Sequence, residues 1–145
     1  REPIIVPLGV IHGDLFPDNV LFTDGEISAI LDFEQASDGR LVYDLAVCLC
    51  AWGFADAFVP ERVGALVAGY ESVRPLADDE RDLLFTEARC AALRFTVTRL
   101  TDVHLNPRTA AEVRRTKDYR RFHSRLIALR VLGSERWARL VGKRD

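Results

Sequence analysis

Apolar positions in the first third of the chain come in short runs broken by turn formers. Leu8-Gly9-Val10-Ile11 is one run, Val20-Leu21-Phe22 the next, and residues 27–33 a third. Runs this short, bounded by Gly, Pro, Asp and Asn, predict strands rather than helices. Thr23-Asp24-Gly25-Glu26 carries the Asp-Gly signal of a tight hairpin turn. Residues 20–22 and 27–33 are therefore expected to pair as a hairpin. From residue 41 the period changes. Residues 41–52 are apolar almost all round, which predicts a buried helix. Residues 60–73 predict a second helix, with Pro60 in its first turn. Pro75 breaks the chain, and Asp78-Asp79-Glu80 opens a third helix with acids at the positive end of its dipole. That helix is expected to reach about residue 100 and to end before Asn106-Pro107. Residues 109–132 predict a fourth, amphipathic helix stopped by Gly133, and Ser134 can cap a short last helix to about residue 141. The fold class is α+β, mostly helical, with a short β-hairpin. The expected organisation is one domain, residues 1–40 forming a loop and hairpin and residues 41–145 a helical body.

Composition narrows the setting. A chain of 145 residues, 48% hydrophobic, is long enough to bury a core. No apolar run approaches membrane-spanning length and there is no signal-peptide pattern, so a cytoplasmic protein without membrane insertion is expected. Cys48 and Cys50 lie two apart in an apolar helical stretch and are expected to be buried free thiols. With Cys90 they show no zinc-ligand spacing to His12, His104 or His123. The net charge of −2 hides an asymmetry: residues 1–107 carry 8 basic and 18 acidic residues, and residues 108–145 carry 12 basic and 4 acidic. A basic tail can bind nucleic acid. Few aromatics accompany these charges as stacking platforms, which favours a solvated helix face over nucleic-acid binding. The basic end can also complement the acidic end, within the chain or across a homodimer.

The stretch with the most chemistry is His12-Gly13-Asp14-Leu15-Phe16-Pro17-Asp18-Asn19, followed by Leu31-Asp32-Phe33-Glu34. Phosphoryl transfer needs few protein groups: one carboxylate to orient or accept the proton of the attacking hydroxyl, and hard oxygen ligands for the Mg²⁺ ions on the phosphates. The spacing is that of a kinase catalytic loop with a metal-binding Asp-Phe pair downstream. On this reading Asp14 is the catalytic carboxylate, and Asn19 and Asp32 are the metal ligands. His12 and Gly13 shape the loop, and Asp18 is expected to point to solvent. The plain alternative is a turn rich in Asp, Gly, Pro and Asn between two strands. The Asn in register and the apolar-flanked Asp-Phe favour the kinase reading. Asp44, in the first turn of the 41–52 helix, can cap that helix or accept hydrogen bonds from the loop backbone.

These segments, with Tyr43-Asp44-Leu45-Ala46, resemble the aminoglycoside phosphotransferase and choline kinase superfamily. Within it the chain most resembles the bacterial type II homoserine kinases. That closer resemblance is carried by residues 43–54, by Leu93-Arg94-Phe95-Thr96-Val97-Thr98-Arg99-Leu100-Thr101-Asp102-Val103-His104-Leu105, and by Lys117-Asp118. Gly13 departs from the Ala often found there in that subfamily. The resemblance implies a protein-kinase-like C-terminal lobe, ATP as phosphoryl donor, Mg²⁺, and a small hydroxyl-bearing acceptor, homoserine foremost. The chain has no glycine-rich phosphate loop and no strand lysine of the kinase kind. Its lysines are Lys117 and Lys143, and it begins at Arg1 in mid-segment. It is accordingly read as the C-terminal lobe of a longer kinase whose N-terminal, ATP-clamping lobe is absent from this chain, so that the fragment alone is expected to be inactive.

A homoserine acceptor would bring an α-carboxylate and an α-ammonium. Arg99 and Asp102, three residues apart on one helix, are candidates to hold them, with His104 nearby; Arg94 falls on a rotated face. A local surface pair between Arg99 and Asp102 explains the same spacing. Trp52 and Phe54 can wall the pocket, although core packing is their plainer role. Aminoglycoside, choline and sugar-like alcohol acceptors stay open, as does a non-catalytic kinase-fold scaffold. The mixed charge after residue 78 does not favour a polycationic acceptor. Retention of Asp14, Asn19 and Asp32 together argues against a scaffold.

Overall fold

The computed structural model describes residues 5–142, so Arg1 and Lys143 lie outside the described residues. Four short strands precede five helices: β1 (Leu8–Ile11), β2 (Val20–Thr23), β3 (Glu26–Ile30) and β4 (Ser37–Arg40), then α1 (Leu41–Trp52), α2 (Pro60–Val73), α3 (Asp78–Thr98), α4 (Ala111–Thr116) and α5 (Arg120–Leu140). The expected hairpin is β2–β3, antiparallel, with Val20 opposite Ile30 and a bulge at Leu21/Phe22. Its turn has Asp24 at φ 52° and Gly25 at φ 86°, the left-handed pair that the Asp-Gly signal predicts.

Two features of this region correct the sequence reading. The second strand ends at Ile30 rather than Phe33, because Asp32 turns into the left-handed region at φ 65° and Phe33–Gln35 coils into a single 3₁₀ turn. In addition, β1 pairs with β4 in a second two-stranded sheet, Gly9 opposite Gly39. Ser37-Asp38-Gly39-Arg40 has none of the residues strands prefer. Pairing there is set by close approach: a Cβ on Gly39 would lie 2.5 Å from Ile11 Cδ1.

The helical body is built around α1, which packs against α2 and α3, while α3 packs against α5. Val42, Ala46, Val47, Leu49 and Cys50 of α1 are fully buried, as expected of a helix apolar all round. Across the α1–α3 seam the Cys50 thiol donates to the Ala88 carbonyl at 3.5 Å. Burial pushes the thiols of Cys48 and Cys50 up to about 12, leaving them inert; Cys90 is exposed. Trp137 closes the far end, its ring edge-on to Phe58 at 5.1 Å. Each such large apolar side chain contributes about 1.5–3 kcal/mol by leaving water.

The helix expected over residues 109–132 is divided. A short α4 ends at Thr116, the chain breaks over Lys117–Tyr119, and α5 begins at Arg120. Asp118 makes the break: its carboxylate accepts from the Arg120 backbone N–H at 2.9 Å, an Asx-type bond that competes with helix propagation. Gly133 interrupts α5 at φ 75°, ψ 165°, close to the stop predicted there. Arg99–His104 continues α3 as a π-helical turn, marked by the Leu105 N–H to Leu100 carbonyl bond at 2.9 Å. Among the described residues no helix is long and apolar enough to cross a membrane.

Candidate active site

The loop between β1 and β2 is held from below by Asp44. Both of its carboxylate oxygens accept loop N–H groups, from His12 at 2.7 Å and from Gly13 at 2.8 Å. Of the two roles open to Asp44, this is the tether; no side-chain cap bond forms at the α1 N-terminus. His12 is buried and bridges. Its Nδ1 accepts from the Asp14 N–H at 3.3 Å, which leaves Nε2 to donate to the Leu31 carbonyl at 2.8 Å. The Leu31 N–H in turn donates to the Asn19 carbonyl at 2.9 Å. Both backbone groups of Leu31 are thus tied to the loop, and Asp32 follows directly. The His12 ring and backbone groups alone make this link between the two segments.

Gly13 adopts φ 74°, and a Cβ there would stand 3.3 Å from the Gln35 carbonyl. Phe16 plugs the loop into the core, with its ring edge-on to Phe95 at 4.7 Å and to Phe122 at 5.4 Å. Trp52 donates from Nε1 to the Leu15 carbonyl at 2.9 Å, and Phe54 is buried against Phe58. Trp52 and Phe54 thus support the loop and core and do not line the cavity described next.

Asp14, Asn19 and Asp32 open onto one cavity of about 280 Å³. Asp14 is partly buried, and burial raises its carboxyl above the usual range. Arg94 opposes that rise, Asp32 adds to it, and Lys117 and Arg99 oppose it more weakly. A carboxylate raised in this way is a stronger proton acceptor than an exposed one. Asn19 donates its side-chain NH₂ to the Asp14 carbonyl at 2.8 Å, which leaves its amide oxygen as the group able to ligate a cation. Asp18 is exposed, as expected, at the cavity rim. Among the described residues no three His, Cys, Asp or Glu side chains gather as a metal cluster. One carboxylate, one carboxamide oxygen and a second carboxylate on a shared cavity still fit Mg²⁺, which keeps much of its water and takes the rest of its shell from substrate phosphates.

The opposite wall is the C-terminal half of α3 and its π-turn. Arg94, Thr98 and Asp102 form one stripe and Phe95, Arg99 and Val103 the next, all lining the cavity. Arg94 therefore faces the site, contrary to the rotation inferred from its spacing to Arg99. The cavity is wide enough for two adjacent stripes, and Arg94 aligns with Thr98 and Asp102 at intervals of four. Its guanidinium donates to the Gly13 carbonyl at 2.7 Å, to the Tyr43 hydroxyl at 3.2 Å and to Gln35 Oε1 at 3.1 Å. Arg99 lies over the rings of Phe16 at 5.4 Å and Phe122 at 4.6 Å. Burial lowers its ordinarily very high pKa, and Asp14 and Asp18 counter that. Asp102 accepts from the Thr101 hydroxyl at 2.7 Å. His104 does not line the cavity; its Nε2 lies 3.6 Å from Asp118 and its ring packs edge-on to Tyr119. The sequence reading missed Arg94 and Lys117 as cavity residues. The four-residue stripe would have revealed Arg94.

Comparison with known proteins agrees with this geometry. The chain is 48% identical over 112 residues to a homoserine kinase of Gluconobacter oxydans, covering 76% of this chain and 35% of that protein. It is 57% identical over 99 residues to a homoserine kinase of Gluconacetobacter diazotrophicus, covering 67% and 31%. A homoserine kinase of Chelativorans sp. is 50% identical over 102 residues, covering 69% and 32%. The chain thus spans about a third of the length of the curated relatives it matches. Residues 5–93, which carry the loop, both sheets and most of α3, match the phosphotransferase enzyme family. With the loop, its tether and its three oxygen-bearing side chains on one cavity, the chain belongs to that family.

Proposed function

We propose that this chain is the acceptor-binding and catalytic part of an ATP-dependent kinase that phosphorylates the hydroxyl of a small amino acid, homoserine foremost. The observation that carries the reading is the shared cavity of Asp14, Asn19 and Asp32, with Asp14 partly buried and raised in pKa. Asp14 orients the acceptor hydroxyl and takes its proton as the oxygen attacks phosphorus. Mg²⁺ held by Asn19 and Asp32 would neutralise charge on the phosphates. Arg94 holds the Gly13 carbonyl and with it the turn that aims Asp14. Arg99 receives the acceptor carboxylate and Asp102 its ammonium. An N-terminal lobe supplies the remaining nucleotide contacts in this reading. The family resemblance and the homoserine kinase relatives support homoserine as the acceptor.

The test is ADP release by the intact protein with Mg-ATP against homoserine, choline, methylthioribose and an aminoglycoside. Activity on homoserine alone is expected. Activity confined to another acceptor keeps the phosphotransfer and overturns the acceptor. Absence of release with every acceptor favours a scaffold.

A further inference from the structure

Two cations in the cavity differ from Arg94. The Arg94 guanidinium is already engaged by three oxygen acceptors. Among the described residues, neither the Arg99 guanidinium nor the Lys117 ammonium has a hydrogen-bond or ion-pair partner, and both line the cavity that holds Asp14. Lys117 comes from the break between α4 and α5, and that corner is fixed on both sides. Its backbone N–H closes α4 on the Val113 carbonyl at 2.8 Å. The next residue, Asp118, caps α5 through the Arg120 N–H at 2.9 Å and faces His104 at 3.6 Å. Interrupting an otherwise helical stretch forgoes backbone hydrogen bonds. The corner packs against the π-turn that carries Arg99 and places a flexible ammonium on the same cavity.

We infer that Lys117 is a specificity-determining residue, sharing the acceptor carboxylate with Arg99. Arg99 offers a planar fork held over two aromatic rings, and Lys117 a mobile point charge. Together they clamp an anionic oxygen pair that neither would hold alone. An acceptor lacking the carboxylate leaves both cations unpaired and binds less well. The inference rests on the acceptor site proposed above. The same two cations could instead meet the transferring phosphoryl group, which is also anionic, and the experiment separates these sources.

The experiment is titration calorimetry on the intact protein with homoserine and with 3-aminopropan-1-ol, which keeps the ammonium and hydroxyl and lacks the carboxylate. Mg-ATP is titrated in parallel, and Lys117→Met and Lys117→Arg are compared with wild type. A charge-assisted contact of this kind predicts that Lys117→Met weakens homoserine binding about ten- to a hundredfold. The preference for homoserine over the amino alcohol should collapse in that variant and return in Lys117→Arg. An unchanged preference in Lys117→Met overturns the inference. Weakening of Mg-ATP in place of homoserine also overturns it and assigns Lys117 to the phosphoryl group. Lys117-dependent homoserine binding without phosphate transfer to homoserine supports the inference and sinks the kinase reading instead.

Discussion

Removing the tether under the loop should cost stability and unlock the loop first. Asp44 accepts two backbone N–H groups, at 2.7 and 2.8 Å, with one carboxylate oxygen each. Hydrogen bonds to a charged group contribute about 1.5–3 kcal/mol each. Asp44 is half-buried, so the lower half of that range applies, and Asp44→Ala should cost about 3 kcal/mol. In a domain of this size that corresponds to a fall in Tm of roughly 6–12 °C. Asp44→Asn keeps one acceptor oxygen but turns an NH₂ toward the other donor, so it should recover less than half of the loss. Urea denaturation gives the free energies. Hydrogen exchange gives the location: in Asp44→Ala the amides of His12 and Gly13 should lose protection before those of α1. A change below about 0.5 kcal/mol, the range of an unremarkable surface substitution, would refute the tether. So would a loss of stability with both loop amides still protected.

Three further outcomes follow from the site. Asp14 should weaken the fold at neutral pH: burial, reinforced by Asp32, raises its carboxyl above the ordinary 3.8, so its favourable contribution is complete below that pH and disappears as pH rises through the raised value. Asp14→Asn should therefore match wild type in acid and exceed it near pH 7 in urea titrations at both pH values. Gly13→Ala should cost about 1–2 kcal/mol, the penalty for an L side chain at positive φ, because Gly13 sits at φ 74° with the Gln35 carbonyl 3.3 Å from the new Cβ; thermal melts would show it. Arg94→Gln removes the largest influence holding the Asp14 carboxyl down and frees the Gly13 carbonyl. It should shift the acid limb of the kcat–pH profile to higher pH and lower kcat by about a hundredfold, the scale for a misplaced catalytic group.

Much of this was legible because local chemistry and fold agree. The Asp24-Gly25 turn, the apolar 41–52 helix and the Pro60 start each depend on residues close in sequence. The gathering of Asp14, Asn19 and Asp32 on one cavity was legible for a different reason: phosphoryl transfer restricts which residue types can stand at such positions. What stayed hidden depends on distant partners. β4 forms because Gly39 lets Ile11 approach, not because Ser-Asp-Gly-Arg prefers a strand. The split between α4 and α5 follows from Asp118 capturing the Arg120 N–H, which helical periodicity does not register. Helical spacing from Arg99 alone does not place Arg94 on the cavity. Its carbonyl partner at Gly13 lies 81 residues away in sequence, beyond any local rule.

The central claim is that Asp14 is the proton-accepting carboxylate of a phosphotransfer site, and kcat for Asp14→Asn tests it most directly. In the intact protein, with Mg-ATP and homoserine saturating, the substitution keeps the size of the side chain and removes its basicity. The account predicts that kcat falls about 10²–10⁴-fold, the range for loss of general-base catalysis, while the KM for ATP stays within a factor of about two, since Asp14 is not assigned to nucleotide binding. A kcat within a few-fold of wild type would contradict it.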